Sequence, residues 1–293
     1  MMSSWVRALC AAALFLVAAT ASAQPRETPA RWQLEGGLSG SIFKVLSGVG
    51  NEVAQNGNSG QLFVKPTWYA TPVRDDGGPR SLQPFLQRTS MVYVSFSGGE
   101  TSMGNDAHDA QTASFVGVSA GAEVYMRPWL VVTEVVSYRS DHRTSLTASA
   151  AIRVDDTLFQ ASYAFTEYGG QGDRAPRWGA IEVQVYSVLT RSLALTLSGH
   201  VQADGVGATL NLVYYATRDL GLFLGVSGDT FDSSPENRTA SYAGGLSFWV
   251  SPALRFNATY QLSLTDALAL PAQAPGYQAT THALTVTALV RAP

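Results

Sequence analysis

Ser140, Asp141 and His142 stand side by side and bring together the three side-chain types of a hydrolytic triad. Such a triad works by geometry: hydroxyl, imidazole and carboxylate must converge on one reacting atom, and successive residues of a turn point apart. The tripeptide therefore reads as a solvated loop, no catalytic residue is assigned, and the chain is not expected to be an enzyme. The four histidines, His108, His142, His200 and His282, show no metal-ligand spacing. The stretch GETSMGNDAHDAQ (99–111) offers Glu100, Asp106, His108 and Asp109 as donors, but it lacks the EF-hand pattern. DTFDSSPEN (229–237) is acidic in the same way. Both read as charged, soluble loops. The glycines form no phosphate cradle, and neither metal nor cofactor is expected.

What remains is a set of isolated polar residues in largely apolar surroundings, and their meaning depends on the elements that carry them. Residues 254–266 read LRFNATYQLSLTD. Leu254, Phe256, Ala258, Tyr260, Leu262 and Leu264 take every second position, and Arg255, Asn257, Thr259, Gln261, Ser263 and Thr265 fill the gaps. Side chains alternate across a strand, so this is a strand with one apolar and one polar face. The pattern recurs at 115–125, 193–202, 206–215, 220–227 and 282–291. Short turn-forming connections (YMRPWL, IRVDDTL, VLTRSL, YATRDL, WVSPAL) alternate with longer polar ones near 46–58, 99–111, 168–176, 229–237 and 266–277. About 14 strands follow, at 32–45, 59–70, 84–98, 112–126, 129–139, 143–153, 157–168, 177–189, 192–203, 205–216, 220–230, 239–250, 254–265 and 279–290. Counts of 12 or 16 are the alternatives.

Composition decides which kind of sheet this is. Charged residues make up only 14% of the chain, against roughly 25% in an average soluble domain. The N-terminus, MMSSWVRALCAAALFLVAATASAQ, has a basic residue, a short apolar run and an A-x-A site, which is the pattern of a cleaved export signal over 1–23. The remaining 24–293 form one domain with no cysteine, since Cys10 lies in the signal. That domain has 18 basic and 22 acidic residues, a balance of about −4 that excludes a nucleic-acid surface. Low charge, export and period-two apolarity without an apolar helix indicate a transmembrane antiparallel up-and-down β-barrel. Aromatics next to the short turns (Tyr69, Tyr125, Trp129, Tyr214, Tyr215, Trp249) and near the other rim (Tyr138, Tyr168, Trp178, Tyr242) are expected to form two girdles at the lipid headgroups. Pro66 interrupts the second strand and predicts a bulge or kink there. The connection 71–83 is long for the short-turn side.

The signal peptide and almost all of 32–291 resemble a bacterial outer-membrane β-barrel of the porin type. DDGGPRSLQPFLQRTSMVYVSF (75–96) is similar to the second-hairpin region of some porin-like proteins. Such barrels often end in an aromatic residue, whereas this chain ends Leu289-Val290-Arg291-Ala292-Pro293. The resemblance implies the outer membrane as location, its lipid and the barrel assembly machinery as partners, and passive passage of small hydrophilic solutes or ions. By strand parity, Lys65, Glu134, Glu182, Gln184, His200, Asn211 and Gln261 are expected to face the pore near mid-strand, and Arg255, Arg153 and Glu123 nearer the short-turn mouth. An open lumen is expected, with 46–58 and 266–277 as the loops that would narrow it. The alternatives are a structural or interaction barrel with a loop-closed lumen (an anchor or secretion partner), a rim hydrolase, and a carrier of hydrophobic solutes.

Overall fold

The computed structural model describes residues 29–47, 53–75, 77–104, 111–140, 143–168, 177–202, 205–231, 234–267 and 277–292. The export signal expected over 1–23 lies outside them, as do Asp106, His108, Asp109, Asp141 and His142. The strands are β1 (Ala30–Ser47), β2 (Val53–Val73), β3 (Met91–Gly104), β4 (Gln111–Arg127), β5 (Leu130–Arg139), β6 (Arg143–Val154), β7 (Thr157–Tyr168), β8 (Arg177–Thr190), β9 (Leu193–Gln202), β10 (Gly205–Tyr215), β11 (Leu220–Phe231), β12 (Ser234–Ser251), β13 (Leu254–Ala267) and β14 (Tyr277–Ala292). Each pairs antiparallel with its neighbours in sequence, and β1 pairs with β14, so the sheet closes into a barrel of 14 strands. That is the up-and-down architecture read from the alternation, with 12 and 16 excluded. No helix of the described residues is long and apolar enough to cross a membrane.

The two faces of the strands go to two different places. Large apolar side chains point away from the barrel: Ile42 is 67% exposed, Val116 68% and Leu224 65%. A soluble sheet would bury such residues. Here they form a band around the outside, where lipid is the compatible solvent. The alternate residues, rich in Ser, Thr, Asn and Gln, face the lumen. Register holds this division in place, because a one-residue slip would swap every face. Tyr260 pairs with Gly244 and Leu284 on the outside, and Gln261 with Ala243 and Ala283 on the inside.

The start of β1, the end of β14 and the short turns share one end of the barrel. There β4–β5, β6–β7, β8–β9 and β12–β13 are joined by tight hairpins. Asp155, at φ 50°, takes the left-handed turn position that Asp tolerates. Register shifts at Tyr125/Arg127, Val188/Thr190 and Trp249/Ser251 lie just before three of these turns.

Three details depart from the sequence reading. The third strand begins at Met91, not 84, because residues 80–86 are helical. Leu82, Phe85 and Leu86 have helical rather than alternating spacing, and Pro84 has no N–H for a ladder. Strands β1, β2, β11 and β12 extend into the stretches 46–58 and 229–237 that read as loops. Pro66 makes no bulge: pairing with β3 breaks between Val64↔Phe96 and Thr67↔Tyr93, the register is the same on both sides, and pairing with β1 continues through Leu34↔Pro66. Proline removes one donor from the ladder without displacing the strand.

If the apolar face meets lipid, Leu224→Arg should cost about 2–4 kcal/mol of stability in bilayers. Thr209→Arg, on the lumen face, should cost far less. Urea unfolding of the reconstituted barrel measures both.

Candidate functional site

The connection between β2 and β3 does not turn back at the rim. It enters the mouth of the barrel as a plug. A 3₁₀ turn, Arg80–Leu82, runs into a single helical turn, α1 (Gln83–Leu86), and Arg88, at φ 54°, redirects the chain into β3. The plug crosses to the far wall. The Arg80 amide donates to the Arg218 carbonyl at 3.2 Å in the β10–β11 turn. The Arg80 guanidinium pairs with Asp219 and, at 3.3 Å, with Asp75, which also pairs with Arg218. The Ser81 hydroxyl accepts from the Trp249 indole of β12 at 3.1 Å and from Arg255 of β13 at 3.4 Å. Arg291 of β14 donates to the Gln83 side chain at 3.4 Å and to the Arg80 carbonyl at 3.2 Å. Arg153 of β6 donates to the Phe85 carbonyl and lies 4.2 Å over its ring.

Apolar contacts fill the space between these polar ones. Leu82 forms a buried cluster with Ala194 and Tyr215, and Leu86, Tyr186, Val188 and Val213 pack around it. Phe85 meets Tyr186 edge-on, with ring centres 4.6 Å apart. Burying a leucine contributes about 1.5–3 kcal/mol, whereas a partly exposed ion pair contributes about 0–1. Docking therefore rests on the burial of Leu82 together with the buried Arg153 and Arg291 that donate to the plug, and the partly exposed ion pairs set orientation. Around them the inward residues are sealed from solvent on many strands: Tyr69, Val131, Ala151, Ala194, Trp249 and Leu289 are all buried.

Asp75 links the plug to the wall. Partial burial alone would raise its carboxyl. The Gly77 amide that donates to it at 3.1 Å, with the guanidiniums of Arg218 and Arg80, outweighs that effect and holds it below the usual carboxylate range.

Beyond the plug, neighbouring strands pair hydroxyls and amides along the lumen wall. Ser137 and Ser145 meet at 2.5 Å, Thr239 and Thr265 at 2.8 Å, Ser241 and Ser263 at 2.8 Å, and Asn257 donates to Thr287 at 2.8 Å. The Tyr93 ring lies along the wall over Gly121, where a Cβ would come within 2.5 Å of it. Lys65 covers that ring, 4.1 Å from its centre. An aromatic that would otherwise project into the lumen is kept against its side.

Of the residues singled out in the sequence, Lys65, Glu182, Gln184, His200, Asn211, Arg255 and Gln261 share the inward parity of their strands. Arg255 is engaged by the plug and stands 3.9 Å from Glu35. Glu134 is on the other face. It is exposed, in register with Ala122 and Ala148, among the outward Val132, Val136 and Tyr138. The run VVTEVV of β5 has valines on both parities, so alternation alone does not choose its face. The barrel settles it by burying Val131 inward, which turns Val132, Glu134 and Val136 outward.

The aromatic girdle is also corrected. Tyr69, Tyr215 and Trp249 turn inward and are buried, and only Trp129 and Tyr214 of that group face outward. Tyr138 and Tyr242 face outward at the other rim, while the side chains of Tyr168 and Trp178 lie outside the described residues. Ser140 accepts the Val116 amide at 2.9 Å as an ordinary turn contact. Among the described residues, no group of three or more His, Cys, Asp or Glu is placed to hold a metal. The plug was the feature that alternation missed. Its signals were the length of 71–83 and the helical spacing of Leu82, Phe85 and Leu86.

No known family and no curated protein matches the chain by sequence. Solved structures match by shape. The Acinetobacter baumannii outer membrane protein Omp33 is similar over 91% of this chain and 100% of its own, at 14% identity and a TM-score of 0.55. A deltaS2 mutant of the TodX monoaromatic hydrocarbon channel is similar over 91% of each chain, at 9% identity and a TM-score of 0.53. The likeness is one of fold, and that fold is the closed antiparallel β-barrel of outer-membrane proteins.

Proposed function

We propose that the chain is an outer-membrane channel for passive diffusion of small hydrophilic solutes or ions, closed at its periplasmic mouth by the 77–90 plug. The observation that carries this reading is the division of faces: an apolar band outside and a polar wall inside a ring of 14 strands. Such a ring is wider than the 8-strand case whose own side chains fill it. Short hairpins belong to the periplasmic side of such barrels, which orients the plug. The hydroxyl- and amide-lined wall suits hydrophilic cargo rather than hydrocarbons. No cofactor or energy source is implied, and no step calls for a catalytic group.

The plug also favours a second reading, a barrel closed for good that serves as an anchor or secretion partner. Replacing 78–88 with a short Gly-Ser link separates the two. The channel reading expects single-channel conductance in planar bilayers to rise at least tenfold over the intact protein. A folded deletion variant that stays silent would favour the closed barrel.

Asp75 sets the sign of the pH response. Its carboxyl is depressed in the docked state, so its contribution is present above the free-carboxylate value near 3.9 and fades as pH falls through the lower docked value. Plug docking should therefore hold at pH 5–7, weaken only below about pH 4, and lose that acid dependence in Asp75→Asn. Protease cleavage within 76–90 reads this directly.

Glu182→Gln should shift the cation preference of the unplugged channel. Glu134→Gln, on the outer face, should leave it unchanged. Reversal potentials under a salt gradient report both.

A further inference from the structure

His200 and Asp229 come from β9 and β11, which are separated by β10. On the lumen face of β10 the residue between them is Gly207, in register with His200 on one side and Asp229 on the other. With no side chain in the way, the two reach across, and His200 Nε2 stands 3.3 Å from Asp229 Oδ1. A Cβ at 207 would lie 1.9 Å from that oxygen and 2.4 Å from His200 Cε1, so only glycine leaves the pair its space. Glu182 of β8, in register with His200, adds a second carboxylate to the row. The row lies toward the end of the lumen opposite the plug. The His200 and Asp229 side chains remain 30% and 27% exposed, within reach of dissolved ions.

We propose that this pair is a two-residue station for a first-row divalent metal ion, Zn²⁺ or Cu²⁺. Two donors bound to one tetrahedral metal at about 2.0–2.1 Å stand roughly 3.3 Å apart. The side chains already have that separation. Imidazole nitrogen with carboxylate oxygen suits these ions rather than Ca²⁺ or Mg²⁺, which take oxygen ligands. The ion sits between the two side chains, held by the imidazole Nε2 and a carboxylate oxygen. Water fills the remaining positions. Two protein ligands hold an ion weakly, and weak holding permits release along a conducting path. The proposal concerns the lumen wall and does not require the channel to conduct.

The test is calorimetric titration of Zn²⁺ into the folded barrel in detergent, with Cu²⁺ electron paramagnetic resonance as a second readout. Wild type should bind one ion at this site, and His200→Ala and Asp229→Asn should each weaken it at least tenfold. Gly207→Ala, which displaces Asp229, should weaken it as well. His282→Ala should not, since His282 lies on the outer face against Tyr260. The copper spectrum should lose its nitrogen coupling in His200→Ala. Absence of zinc binding in wild type, or equal binding by wild type and His200→Ala, would overturn the proposal.

Discussion

A strand surrounded by lipid has no water to satisfy its amides and carbonyls, so every one of them must find a partner in the sheet. The closing seam between β1 and β14 meets that demand. Its pairing runs without a break from Trp32↔Ala292 to Ser47↔Tyr277. The rest follows from closure. Once the ring is shut, each strand has one face toward lipid and one toward the lumen, and period-two alternation becomes a distinction between two solvents. The gap in the ladder at Pro66 is tolerated because β1 continues to pair there and the register does not shift.

Closure also creates a mouth, and the mouth explains where the arginines are. Arg80, Arg153, Arg255 and Arg291 all converge on the plug, where they meet carbonyl oxygens, the Ser81 hydroxyl, the Gln83 amide, aromatic faces and a few carboxylates. A planar guanidinium can bond in its plane and stack across it at once. That suits it to tie an irregular segment to a regular wall. These cations are thereby withdrawn from the rest of the lumen wall, which carries Lys65, Glu182, His200 and Asp229.

The barrel was legible in the sequence because its signal is repeated. Parity at 193–202, 206–215 and 254–265 assigns inside and outside several times over, and the strand count follows from the turns between. Legibility fails where the repetition does. In VVTEVV the apolar residues occupy both parities, and Glu134 is set by its neighbours' register with β4 and β6 rather than by its own strand. In SLQPFLQ the period changes from two to three or four, over too few residues to stand out as a helix. Tyr69, Tyr215 and Trp249 look like girdle residues by position, but strand parity turns them inward, where Tyr69 donates to Gln33, Trp249 donates to Ser81 and Tyr215 joins the Leu82 cluster.

The scatter of the plug's anchors has a bearing on how the molecule matures. The plug is encoded between the second and third strands, yet its docking partners belong to β6, β8, β9, β10, β12, β13 and β14. None of them offers a complete surface until the last strand has met the first. With partners this scattered, the segment has its full set of contacts only when the wall around it is complete. The seated plug is thus a mark of a closed ring, and a barrel left open would leave that segment accessible to protease.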